Sequence, residues 1–226
     1  MSPELLNDIV MFAIPVILAI TFHEAAHGFV ALHFGDTTAR DAGRVTLNPL
    51  KHVDPVGTIL IPAVLILTNA GFLFGYAKPV PVQFGALRNP RWDMIWVAIA
   101  GPAMNILLAL VSAILLRIAL TQGQTVDSMF VQVLMASIQL NAILAVFNML
   151  PLPPLDGSKV LAPFLPLALA RPYLAFERFG MVILVLLVFI APMLAQRNGI
   201  DFDLLGPLVL DPAQAVVRTI LSVVGA

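Results

Sequence analysis

The chain has 226 residues, 60% of them apolar and 11% charged, with a formal net charge of −1, and its mean hydropathy is +0.96. Soluble domains run at roughly half apolar and a quarter charged, so this composition excludes a soluble globular protein, and the near-neutral charge argues against a nucleic-acid partner. The absence of cysteine removes disulfides and thiolate chemistry, and leaves nitrogen and oxygen as the ligands for any metal.

Five apolar stretches follow one another, at residues 5–34, 56–76, 92–120, 129–150 and 173–195. They approach or exceed the roughly 20 residues a helix needs to cross a bilayer, and lipid admits only helices and closed barrels as spanning structures. The expectation is an all-α polytopic membrane protein: one membrane-embedded domain over 1–226, with its core at 5–160 and more variable helices at 173–226. The first stretch is too long for a signal peptide and is read as retained. Trp92 and Trp96 open the third as interfacial anchors. A sixth stretch, 204–226, is interrupted by Asp211, Pro212 and Arg218, which leaves open an interfacial helix, a short hairpin or a marginal span.

The connectors carry their own signals. Residues 35–55 are polar and turn-rich, with Asn48-Pro49 and Asp54-Pro55. In Lys78-Pro79-Val80-Pro81-Val82 the alternating prolines favour an extended conformation, either an edge that pairs with an unfolded substrate segment or a rigid connector. Charge then decides how the second stretch runs. If it spans, the Lys and Arg of the loops divide five against six; if it enters and leaves on one side, they divide nine against two. The second division obeys the positive-inside rule. It predicts a re-entrant segment over 56–76, bent with the help of Pro62, Asn69, Gly71 and Gly75, with the N-terminus outside and the loops at 36–54 and 77–91 in the cytoplasm.

Within the first stretch lies Phe22-His23-Glu24-Ala25-Ala26-His27-Gly28. On a helix His23 and His27 share one face, with their imidazoles placed to share a tetrahedral metal. Glu24 holds the position at which zinc hydrolases place a general base, and small neighbours would let another helix approach closely. The best third ligand is Asp156, a carboxylate just past the proline break at Pro151, Pro153 and Pro154, where backbone must be buried in protein or line a wet cavity. At about 1.5 Å per residue, His23 lies about 27 Å from Leu5 and Asp156 about 40 Å of path from Met129. Both are toward the far ends of their stretches, and they meet only if the first and fourth run parallel, which the re-entrant second segment provides. Asn148, seven positions after Asn141, either reaches a carbonyl under attack at the metal or makes a helix–helix hydrogen bond. Asn105 shares a face with Gly101 and is read as close packing plus a polar contact, structural rather than catalytic. His33, His52, Glu177 and Arg178 are read as outside the site.

Together His23-Glu24-x-x-His27, Gly101-Pro102-x-x-Asn105 and Asn148-x-x-Pro151-x-Pro153-Pro154-Leu155-Asp156-Gly157 resemble the site-2 protease family of intramembrane zinc metalloproteases. Gly35-Asp36, Asn48-Pro49, Asp54-Pro55-x-Gly57-Thr58 and Lys78-Pro79-Val80-Pro81-Val82 are similar to its compact prokaryotic branch. The resemblance implies Zn2+ held by His23, His27 and Asp156, with Glu24 as base and Asn148 positioning or stabilising the scissile carbonyl. It also implies a partly embedded, substrate-guiding structure after the first helix; the second stretch is long enough to be a helical hairpin rather than a short β-loop. No PDZ or CBS domain is expected.

The expected function is hydrolysis of a peptide bond in or near a transmembrane helix of a membrane-protein substrate, in a cell membrane, with the active site toward the cytoplasm. The alternative is a zinc-binding transporter or binding protein without hydrolysis. It has no use for a glutamate beside the first histidine, and the chain shows no duplicated halves. A catalytically silent relative acting as a membrane chaperone is a third reading, which the intact motifs disfavour. Substrate identity, cut site, activating signal and oligomeric state are not specified by the sequence.

Overall fold

The computed structural model describes residues 3–67, 75–200 and 202–226, and these are helical with no strand among the described residues. The long helices are labelled in chain order α1 (Pro3–His33), α2 (Pro90–Thr121), α3 (Met129–Asn148), α4 (Glu177–Arg197) and α5 (Gly206–Val224). Each is long and apolar enough to cross a membrane; this is a multi-pass membrane protein, and the bilayer is its environment. Helices satisfy every backbone polar group internally where no water competes. Pro15 and Pro102 therefore lie inside α1 and α2 without ending them. The Ser128 hydroxyl starts α3 by accepting from the Val131 N–H, a side-chain cap for a free first-turn donor.

Alanines bring the bundle together. Ala109, Ala113, Leu116 and Ala119 of α2 pack with Val131, Leu134 and Ile138 of α3 and with Ile220 and Val224 of α5; short side chains let the helix backbones approach. The directions follow from contacts at successive levels. Asn105 touches Ala19 and Asn141 at one level. Toward one end of the bundle, Val97 reaches His27 and Asp156, just past α3, reaches His23. Hence α1 and α3 run parallel and α2 runs against both, as the ligand argument required.

The second apolar stretch leaves as helix, Pro55–Leu60 continuing into Ile61–Leu67, and returns over 75–83 as chain without regular secondary structure. The Asp54 carboxylate caps its start by accepting from the N–H groups of Val56 and Gly57. The two ends meet: Tyr76 N–H donates to Gly57 O at 3.1 Å and Lys78 N–H to His52 O at 2.9 Å. Residues 76–78 therefore lie beside residues 52–57, where the segment began. The returning part pairs with no strand among the described residues. Of the expected bend residues, Asn69 and Gly71 lie outside the described residues. Further bonds, from Arg44 to Lys78 O, Gln83 N–H to Asp36 Oδ2 and Arg88 to His33 O, gather the two polar loops at the C-terminal end of α1.

Two boundaries differ from the sequence reading. Tyr173 belongs to a separate short helix, Leu167–Ala175, and α4 begins at Glu177, because the Tyr173 hydroxyl is tied to Pro151 O at 2.8 Å. Residues 204–226 hold a single helix rather than a hairpin. Asp211 and Pro212 stand where its π-helical opening, Gly206–Leu210, passes into the regular α-helical part.

Candidate metal centre

His23 and His27 leave one face of α1 a turn apart, and the break after α3 delivers Asp156 to them. The break folds back tightly. A Cβ on Gly157 would collide with the carbonyls of Met149 and Leu150, so only glycine follows Asp156 in this path. Asp156 Oδ2 lies 3.2 Å from His23 Nε2 and 3.3 Å from His27 Nε2, and the two Nε2 atoms are 3.1 Å apart. Three ligand atoms about 2.0–2.1 Å from a tetrahedral zinc would be separated by about 3.3 Å. The triangle fits.

Charge and hydrogen bonding give the same answer. The Val97 carbonyl can only accept, so at 2.7 Å it accepts a hydrogen bond from His27 Nδ1–H, which in the neutral ring leaves the lone pair on Nε2. His23 Nδ1 is likewise engaged, at 2.6 Å from Asn105 Oδ1. Asp156 Oδ2 is buried without a hydrogen-bond donor. Lone pairs converging in a protein interior call for a cation. Gly101 leaves the space for one: a Cβ there would lie 2.6 Å from His23 Nε2 and nearer still to His27 Nε2.

Around this triangle opens a cavity of about 500 Å³, a size usual for ligand sites. Its walls are mostly apolar, with Ile20, Val80, Leu144, Phe147 and Leu184, and its polar members include Glu24 and Asn148. Glu24 Oε2 accepts from the Val80 N–H at 2.7 Å, so the returning segment lies against the metal centre. Asn148 uses one amide hydrogen on Leu144 O, one turn back in its own helix.

Every residue singled out from the sequence thus lies at this one cavity, and His33 and His52 lie outside its lining. Asn105, read as close packing plus a polar contact, makes that contact with His23. One residue was missed. Glu177, set aside as interfacial, lines the cavity and pairs with Lys159 at 3.2 Å; its place on the wall depends on the fold of the break and left no local signal. Beside the site, Asp36 is buried, which opposes its ionisation, but hydrogen bonds from the Thr38 hydroxyl and N–H and the Gln83 N–H outweigh this and hold it below the usual carboxylate range.

The comparisons agree with this chemistry. The pattern described as Peptidase family M50 matches residues 116–191, which include Asp156. YwhC of Bacillus subtilis (strain 168), provisionally named a zinc metalloprotease, is 40% identical over 184 residues, covering 80% of each chain. Rip2 of Mycobacterium tuberculosis (strain H37Rv), named in the same way, is 32% identical over 178 residues, 79% of this chain and 66% of its own. Its counterpart in Mycolicibacterium smegmatis is 32% identical over 173 residues, 76% of this chain and 64% of its own. No solved structure matches. With the family pattern and these relatives meeting on a buried two-histidine, one-carboxylate centre that could hold a metal ion, the chain belongs to peptidase family M50, the site-2 proteases.

Proposed function

We propose that this protein, acting as one unit over residues 1–226, hydrolyses peptide bonds within or near the transmembrane helices of membrane-protein substrates. The observation that carries the proposal is the metal centre opening into a largely apolar cavity among membrane-spanning helices. A soluble peptide gains little in such surroundings, whereas an unwound stretch of apolar helix is at home there.

His23, His27 and Asp156 would hold the zinc, with His23 and His27 presenting Nε2. The zinc would polarise the scissile carbonyl and lower the pKa of water so that it attacks near neutral pH. Glu24 would take the proton and return it to the leaving amine. The Val80 N–H fixes one of its carboxylate oxygens, which leaves Oε1 as the proton acceptor. Asn148, with its Oδ1 and second amide hydrogen uncommitted among the described residues, would position the substrate amide in the cavity.

The returning segment suits a guiding role of a particular polarity. Pro79 and Pro81 have no N–H, and the N–H groups of Lys78, Val80 and Gln83 are already used. Over 78–83 the Val82 N–H alone remains to donate among the described residues, so this edge would engage an incoming peptide mainly through its carbonyl oxygens, which receive substrate N–H groups. The loop charges, nine against two, support a cytoplasmic position for this end of the bundle and an outside N-terminus.

Zinc content and cleavage of a transmembrane substrate, measured side by side in purified protein, test the proposal. Glu24→Gln should keep zinc and lose about 10²–10⁴-fold in cleavage rate, and Asp156→Ala should lose both. Cleavage by Glu24→Gln at the wild-type rate would overturn the role of the base.

A further inference from the structure

Behind His23 a file of buried polar groups leads away from the metal centre, and it has a direction. Asn141 Nδ2 lies 2.9 Å from the Ser137 carbonyl, and Asn141 Oδ1 faces Asn105 Nδ2 at 2.9 Å. Asn105 Nδ2 is also 3.3 Å from the Ala19 carbonyl, and Asn105 Oδ1 is 2.6 Å from His23 Nδ1. Asn105 and Asn141 are each about 1% exposed or less, so no bulk solvent competes for these bonds.

A backbone carbonyl has no proton to give. Ser137 O therefore requires the NH₂ of Asn141, which turns Asn141 Oδ1 toward Asn105. Asn105 must then present its NH₂ both to that oxygen and to Ala19 O, and so turns its own Oδ1 toward His23. Flipping Asn105 would set its oxygen against both Asn141 Oδ1 and Ala19 O, and flipping Asn141 would set oxygen against Ser137 O and NH₂ against the Asn105 NH₂; either leaves two buried contacts unpaired, each costing the desolvation of its groups. The only partner Asn105 Oδ1 can then accept from is His23 Nδ1–H, and the neutral imidazole keeps its lone pair on Nε2, the atom facing Asp156 and His27.

We propose that Asn105 and Asn141 are positioning residues that fix the tautomer of His23 for zinc, through a one-way hydrogen-bond chain anchored on the carbonyls of Ser137 and Ala19. The inference rests on the reading of His23 as a zinc ligand. It separates the two histidines by mechanism: His27 is set directly by the Val97 carbonyl, which no side-chain substitution removes, whereas His23 depends on two side chains that can be replaced.

The test is zinc affinity by chelator competition on the full-length purified protein, with helical content recorded for every variant. Asn105→Leu should bind zinc about 10–100-fold more weakly, the usual cost of removing the partner of a ligand histidine. Asn105→Asp, which keeps an acceptor for His23 Nδ1, should bind more tightly than Asn105→Leu, although packing alone would favour leucine in a buried apolar bundle. Asn141→Leu should weaken binding less, and the double leucine variant should be no weaker than Asn105→Leu, because both act through one bond. Nitrogen-15 resonances of the metal-free wild type should show His23 protonated on Nδ1, a readout that stands even where a variant fails to fold. An Nε2-protonated His23, an Asn105→Leu protein with wild-type affinity, or additive losses in the double variant would each overturn the inference. Wild-type zinc affinity in His23→Ala would overturn the ligand reading itself, and this inference with it.

Discussion

A methyl group on Gly101 would stand where the metal belongs. In an ordinary helix interior, replacing glycine by alanine gains about 0.8–1.0 kcal/mol; here the added carbon would lie 2.6 Å from His23 Nε2 and closer to His27 Nε2. Gly101→Ala should therefore fold with undiminished helical content and fail to retain zinc, which metal analysis beside circular dichroism would show. Normal zinc content in this variant would mean that the cation sits elsewhere. At this scale the sequence was legible wherever chemistry is local. His23, Glu24 and His27 announce themselves because ionisable groups are costly within a bilayer, and Asp156 because it follows a proline break. For Asn105 the sequence offered packing and a polar contact but not the partner: a buried amide in a helix looks the same whichever helix it bonds, and only the fold brings His23, 82 positions away, to it.

Among the elements, the returning segment over 75–83 makes the connection between loop and metal centre. Its two prolines should matter to substrate rather than to metal. Replacing Pro79 and Pro81 by alanine frees the backbone and adds two N–H donors to an edge that now engages mainly through carbonyls, so cleavage should fall while zinc content holds; equal losses would remove its guiding role. The segment is pinned by Asp36, which receives the Gln83 N–H at 2.6 Å and two bonds from Thr38. The pKa of this carboxyl is lowered in the folded protein, so its contribution to stability is present above its unfolded value of about 3.9 and is lost as pH falls through the lower folded value. Thermal unfolding should show an acid-side loss of stability that is reduced in Asp36→Asn, and Asp36→Ala should cost about 1–3 kcal/mol near neutral pH by stranding the Gln83 N–H. The sequence revealed that this segment returns, through the charge balance, and that it is not helical, through its prolines. It did not reveal that the outward half is helical, because an apolar run of that length suits helix and strand alike. Residues 204–226 stayed open for a related reason: Asp211, Pro212 and Arg218 lower the signal of a span, while the face made by Ala213, Ile220 and Val224 has meaning only once α2 and α3 are there to cover it.

For the molecule as a whole, the parallel course of α1 and α3 is the fact from which the rest follows, since it is what carries Asp156 to the histidines. Parallel neighbours in a bilayer need an odd number of crossings between them, and α2 supplies one; the second apolar stretch must then return to its own side. The bonds joining Tyr76 to Gly57 and Lys78 to His52 close that return, and those from Arg44 and Arg88 hold both polar loops at the end of the bundle that carries the metal centre. At the other end Arg117 donates to the Val224 carbonyl, about 24 Å from Gly101 along α2 at 1.5 Å per residue. The absence of native cysteine allows this to be checked one thiol at a time. Cysteines placed at Arg40 and Arg88, in the two polar loops, should resist a membrane-impermeant maleimide in intact cells and react once the membrane is opened. A cysteine at Gln124, in the exposed turn between α2 and α3, should react in intact cells. Labelling of positions 40 and 88 from opposite faces would make the second stretch a true span, set α1 and α3 antiparallel, and leave the two histidines without their carboxylate.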